Sequence, residues 1–100
     1  MSRDPDRCPT HPGELLREDV VPATGKSKTE LARMLGISRQ HFHDILAERK
    51  PVSPEVAVRL AKLFGNAPLA WIRMQGAYDA WHASRDVDVS CVPTLIAAEP

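Results

Sequence analysis

Between Ser27 and Lys50 two short helical patterns stand almost end to end, separated by one glycine-containing turn. The first opens at Ser27-Lys28-Thr29-Glu30, a capping box in which the serine oxygen takes a backbone N–H and the glutamate reaches back to the cap. It offers Leu31, Ala32 and Leu35 to a core and stops at Gly36, a residue free to adopt positive φ at a helix C-terminus. Ser38 caps the second pattern, whose Phe42, Ile45 and Leu46 fall on one stripe. Two short helices that cross steeply need a small residue at the contact (Ala32), a turn residue tolerant of positive φ (Gly36), and apolar plugs. Leu31, Leu35, Ile37, Phe42 and Ile45 supply the plugs, so the spacing is that of a helix-turn-helix.

With those plugs turned inward, Arg39, Gln40, His43, Asp44 and Ala47 are left on the outer face of the second helix. That face suits a major groove, because arginine bonds bidentately to guanine and glutamine to adenine. Arg39 and Gln40 are therefore the leading candidates for base reading, with His43 and Asp44 beside them. Ser38 and the N-terminal amides of the helix suit a phosphate. Lys28 and Thr29, in the first turn of the preceding helix, and Arg49 and Lys50, beyond the second, are placed to meet the sugar-phosphate backbone. His41 lies on the flank, also within reach of a phosphate. The formal net charge of zero at first argues against a nucleic-acid partner. Its distribution reverses that reading: residues 1–25 carry −2, residues 26–50 carry +3 and residues 51–100 carry −1.

The remainder reads as further helices, so the fold expected is all-α, compact and five-helical. Leu15, Leu16, Asp19 and Val20 define a first helix that starts at Pro12 and that Pro22 is expected to end. Ser53-Pro54-Glu55 opens a fourth, with Val56, Leu60 and Leu63 facing inward and Gly65-Asn66 at its end. Pro68 begins a fifth, carrying Leu69, Trp71, Ile72, Met74, Tyr78 and Trp81 to about Arg85. That is more apolar area than one face needs, so Trp71, Tyr78 and Trp81 divide between the core and a dimer surface. Val87 to Val92 alternates apolar and polar residues, the pattern of a short strand, and Val87 and Val89 join the expected dimer surface. The expected organisation is a flexible arm over residues 1–10, one domain over 11–86 and a tail over 87–100.

Other chemistries find little support. Cys8 and Cys91 lack metal or redox spacing and are expected as free thiols. His41 and His43 point to different sides of their helix, and Cys8-x-x-His11 lacks partners at zinc-ligand spacing, so no metal and no cofactor is expected. No nucleophile, base and orienter converge, which argues against an enzyme. Neither a membrane-spanning run nor the apolar core of a signal peptide is visible, so a cytoplasmic location without membrane association is expected.

With its flanks in view, the motif resembles the HigA-type antitoxins, small Cro/C1-like helix-turn-helix proteins of the XRE family with a lambda-repressor-like fold. The resemblance rests on His11-Pro12-Gly13-Glu14-Leu15-Leu16, Pro51-Val52-Ser53-Pro54-Glu55, Arg59-Leu60-Ala61-Lys62, Trp71, Met74-Gln75 and Tyr78-Asp79, and spans about residues 11 to 82. It implies a protein that neutralises a toxin encoded beside it, usually a RelE-like mRNA endonuclease, and represses their shared operon as a homodimer on double-stranded operator DNA. A lone Cro/C1-type repressor, or a partner-sequestering module without DNA binding, is the alternative. One departure stands out: many relatives end the recognition helix with Asn-Gly, where this chain has Ala47-Glu48. Glu48 is then expected to place a negative charge near the phosphate path.

Overall fold

The computed structural model describes residues 6–96, in which five helices are joined by short turns. The first, α1, is assembled from Pro12–Leu15, a π-helical turn Leu16–Val20 and Val21–Thr24. His11 caps it, its Nδ1 accepting the Gly13 N–H at 2.8 Å, and Pro12 occupies the first helical position, where no N–H is required. Pro22 does not end this helix, contrary to the expectation from sequence; the rod continues to Thr24 and closes on Gly25 at φ 69°. A proline inside a helix lacks a donor, and its ring presses on the carbonyl four residues back. Here the turn before it is widened: the Val21 N–H bonds to the Leu16 carbonyl, five residues back, and Pro22 follows that wider turn without breaking the rod.

Helices α2 (Lys28–Leu35) and α3 (Arg39–Leu46) form the motif. Ser27 Oγ accepts the Glu30 N–H at 3.1 Å, while the Glu30 carboxylate faces Lys26 and Arg33, 3.8 Å from each, so the capping box is closed on its serine side. Gly36 takes φ 76°. The Gly36 N–H then returns to the Arg33 carbonyl and the Ile37 N–H to the Ala32 carbonyl, both at 3.1 Å, which satisfies the last carbonyls of α2 in a Schellman turn. Helix α4 (Pro54–Phe64) starts on the Ser53 cap and ends at Gly65; α5 (Pro68–Asp86) is the longest element at 19 residues.

Leu16 of α1, Leu31 of α2, Phe42, Ile45 and Leu46 of α3 and Leu60 of α4 meet at the centre, with Trp71 of α5 against them. Each such side chain contributes about 1.5–3 kcal/mol by leaving water. Ile37 and Leu63 close the margin half-buried. α1 packs on α3 and α5, α2 on α4, and α4 on α5, so α3 is backed on its inner side and free on its outer side.

Beyond α5 the expected strand does not form. The Ser90 N–H turns back to Asp88 Oδ1 and the Val92 N–H to the Val89 carbonyl, both at 2.9 Å, making turns of the stretch that alternated in sequence. A single extended segment has no ladder partner within one copy of the chain, and the aspartate offers its backbone a local alternative.

Candidate nucleic-acid interface

The N-terminus of α3 is organised by Ser38, whose Oγ accepts the His41 N–H at 2.9 Å. Phe42 and Ile45 are 1% and 0% exposed, which fixes the rotation of the helix about its axis. Arg39, Gln40 and His43 are consequently exposed together on the opposite side, with Ala47 half-buried at the far end. Lys28 and Thr29 are exposed at the start of α2, and Arg49 and Lys50 just after α3; His41 is half-buried on the flank. Of the positions expected to read bases or meet phosphates, Lys28, Thr29, Ser38, Arg39, Gln40, His43, Arg49 and Lys50 are exposed, and His41 and Asp44 are half-buried.

Asp44 behaves differently from its neighbours. Its carboxylate is only 15% exposed and one oxygen, Oδ1, accepts from Gln40 Nε2 at 2.9 Å, Arg49 Nε at 3.2 Å and Arg49 Nη2 at 2.8 Å. The Arg49 guanidinium holds the Asp44 carboxyl below its ordinary pKa against the opposing effect of burial, and the Gln40 amide adds a lesser downward pull. Gln40 and Arg49 are therefore engaged within the protein, whereas no such internal bond defines Arg39 or His43 among the described residues.

The chain leaves α3 through Glu48, which takes φ 64°, the left-handed conformation that glycine adopts most easily. The Glu48 N–H bonds to the Ile45 carbonyl at 3.0 Å and the Arg49 N–H to the Asp44 carbonyl at 2.8 Å, so the turn is a Schellman motif built without glycine. The Glu48 charge, expected near the phosphate path, is paired within the protein. Its carboxylate accepts from Arg17 Nη1 of α1 at 3.2 Å, and the same nitrogen donates to the Leu46 carbonyl at 2.6 Å. The pairing draws the glutamate toward α1 because the left-handed turn reverses the chain at that residue.

The helix-turn-helix family model matches residues 16–72, which contain α2, α3, α4 and the turn between α2 and α3. This chain belongs to the helix-turn-helix family. It is 37% identical over 76 residues to virulence-associated protein I of Dichelobacter nodosus, covering 76% of this chain and 70% of the relative. It is 30% identical over 79 residues to antitoxin HigA-1 of Vibrio cholerae serotype O1, covering 79% and 74%. Among solved structures it is similar to antitoxin GraA in complex with its operator: TM-score 0.83, 33% identity, 97% of this chain and 99% of that one. Its structural neighbours are thus antitoxins of the HigA and GraA type.

In this helix-turn-helix protein three residues support the recognition surface in a role that no local pattern in the sequence assigned them. Arg59, on the exposed side of α4, donates from Nη1 to the Leu35 carbonyl at 2.9 Å and lies against the turn, where a Cβ on Gly36 would come within 2.6 Å of it. Gln75, 6% exposed, accepts the Val52 N–H on Oε1 at 2.8 Å and donates from Nε2 to Asp79 at 3.0 Å, tying the α3–α4 connection to α5. Arg17 is the third. Each acts through a contact 23 to 31 residues away in sequence, which no local pattern contains.

The residues expected at a dimer surface separate. Trp71 is 3% exposed and its Nε1 donates to Asn66 at 2.9 Å, so it belongs to the core of its own chain and keeps almost no surface for a partner. Tyr78 is half-buried between the rings of His11 and His82, at 4.7 and 4.4 Å. Trp81 is half-buried with the Arg85 guanidinium 3.7 Å above its ring. Val87 and Val89 are exposed.

Proposed function

We propose that the protein binds operator DNA sequence-specifically as a homodimer, represses its own operon and neutralises a cognate RelE-like mRNA-cleaving toxin. The observation that carries this reading is the exposed row Arg39, Gln40 and His43 on α3, held outward by the burial of Phe42 and Ile45. Support for the DNA half comes from an antitoxin of closely similar fold whose structure contains its operator. Arg39 and Gln40 read base edges, with His43 alongside; Asp44 shares their face. Lys28, Thr29, Ser38, His41, Arg49 and Lys50 meet phosphates and set affinity and register. Tyr78, Trp81, Val87 and Val89 supply surface to the second copy. The toxin half rests on the resemblance to HigA-type antitoxins. We assign the protein no catalytic role and place its action in the cytoplasm, where the operator is.

Two experiments test the halves separately. In a gel shift at physiological salt, the duplex upstream of its gene is retarded specifically; binding that is indifferent to sequence and disappears with salt would leave only a sequestering role. In co-expression, the protein restores growth of cells making the product of the adjacent gene. Absence of a toxic neighbour, or failure to bind it, would make the protein a lone repressor of the Cro/C1 type.

A further inference from the structure

Asp44 holds both a base-reading candidate and a phosphate-contact candidate on one carboxylate oxygen. A glutamine amide carries its donor and its acceptor on opposite arms, and rotation about its last torsion exchanges them. Because Nε2 is bonded to Asp44, one turn further along α3, the amide of Gln40 is fixed in one sense, with Oε1 on the other arm. A carboxylate only accepts, so the reversed amide would set oxygen against oxygen. Arg49 makes two contacts to the same carboxylate oxygen, through Nε and Nη2, so its charge is offset where it stands.

We propose that Asp44 is a specificity-determining positioning residue: it fixes the donor and acceptor ends of the Gln40 amide and offsets the charge that Arg49 brings to its phosphate contact. This rests on the DNA-binding reading above and deepens it. The two effects have one sense. Orienting Gln40 raises the contribution of base identity, and offsetting Arg49 lowers the contribution of charge that every duplex offers equally. The motif's excess of positive charge would otherwise favour indiscriminate binding.

The test uses the full chain and duplexes enriched by it from a random-sequence pool, compared with single-base variants of them and with unselected duplex. Asp44→Ala lowers discrimination about tenfold at the base pair where Gln40→Ala also loses it, and leaves the other positions unchanged. It also tightens binding to unselected duplex and steepens the salt dependence by about one phosphate contact per chain. Asp44→Asn, which keeps an acceptor for Gln40 but removes the charge opposing Arg49, retains most of the base discrimination and shows the steeper salt dependence. Circular dichroism of each variant confirms that the helices persist. Unchanged discrimination in Asp44→Ala, a loss spread evenly over all positions, or Asp44→Asn losing discrimination as fully as Asp44→Ala, overturns the assignment. If the unaltered chain enriches no sequence at all, the DNA-binding reading falls and this one with it.

Discussion

A methyl group on Gly13 would run into the carbonyl oxygen of Ile45, because α1 crosses the end of α3 backbone against backbone. Gly13→Ala should therefore destabilise the fold by about 1–3 kcal/mol, since backbone cannot yield as a flexible side chain does; urea denaturation measures it, and a loss below about 0.5 kcal/mol would contradict the close approach. His11, beside it, gives a pH dependence. Its neutral Nδ1 accepts the cap bond, and burial lowers its pKa from the ordinary 6.5, outweighing the upward pull of Glu48, Asp79 and Glu14 and reinforced by Arg17. Above pH 6.5 both folded and unfolded histidine are neutral and the stabilisation is complete. As pH falls through that value the unfolded chain takes up the proton first, so stability declines on the acid side. Denaturation midpoints at pH 8 and pH 5.5 should show the decline, and His11→Asn, which keeps a capping side chain without a titrating ring, should show less of it. The motif His11-Pro12-Gly13-Glu14 thus owes its residue types to a cap, a first-turn proline and a close crossing. As a sequence it was recognisable only through family resemblance, because the crossing partner lies 32 residues downstream.

Helix α3 is where function is read from a single element. Its apolar stripe at Phe42, Ile45 and Leu46 determines by elimination which residues face outward, so the position of Arg39, Gln40 and His43 was legible from spacing. Arg39→Ala should lose about 1–3 kcal/mol of operator binding and relax preference at one base pair, whereas Lys28→Ala should weaken all duplexes alike and reduce the salt slope by about one. Binding to single-base operator variants at several salt concentrations separates the two patterns; equal losses on every sequence for Arg39→Ala would remove it from the base-reading set. What spacing did not reveal was the use of Asp44 as an anchor, since an acid on a polar face reads the same in sequence whether it meets water, a base or a neighbouring guanidinium. The π-helical turn of α1 was hidden for a related reason: Pro22 signals a break in local rules, and the bond from the Val21 N–H to the Leu16 carbonyl, five residues back, carries the rod through it.

At the scale of the molecule, α5 and the segment after it leave Val87, Val89 and Val92 at 58%, 62% and 68% exposure. In the dimer proposed above Val87 and Val89 meet the second copy. A chain ending at Asp86 should keep its helical fold, as the described residues beyond it are exposed, and should associate more weakly by sedimentation. A dimer of undiminished affinity would assign the contact to Tyr78 and Trp81 alone. Two-fold symmetry further predicts an operator of inverted half-sites with centres about 34 Å apart, or a multiple of that, which footprinting reads directly.

By itself the sequence determined the helices, their serine caps, the glycine turn at Gly36 and the outward face of α3. These follow from residues within one or two turns of each other, where propensity and periodicity act. Tertiary structure decided the inward pairing of Glu48 with Arg17 and the support from Arg59 and Gln75, while the continuation of α1 past Pro22 and the turns where a strand was expected close on short-range bonds that compete with the local pattern. The Arg17, Arg59 and Gln75 contacts each depend on a partner brought close only when the core closes, and their energy is set by distance in space.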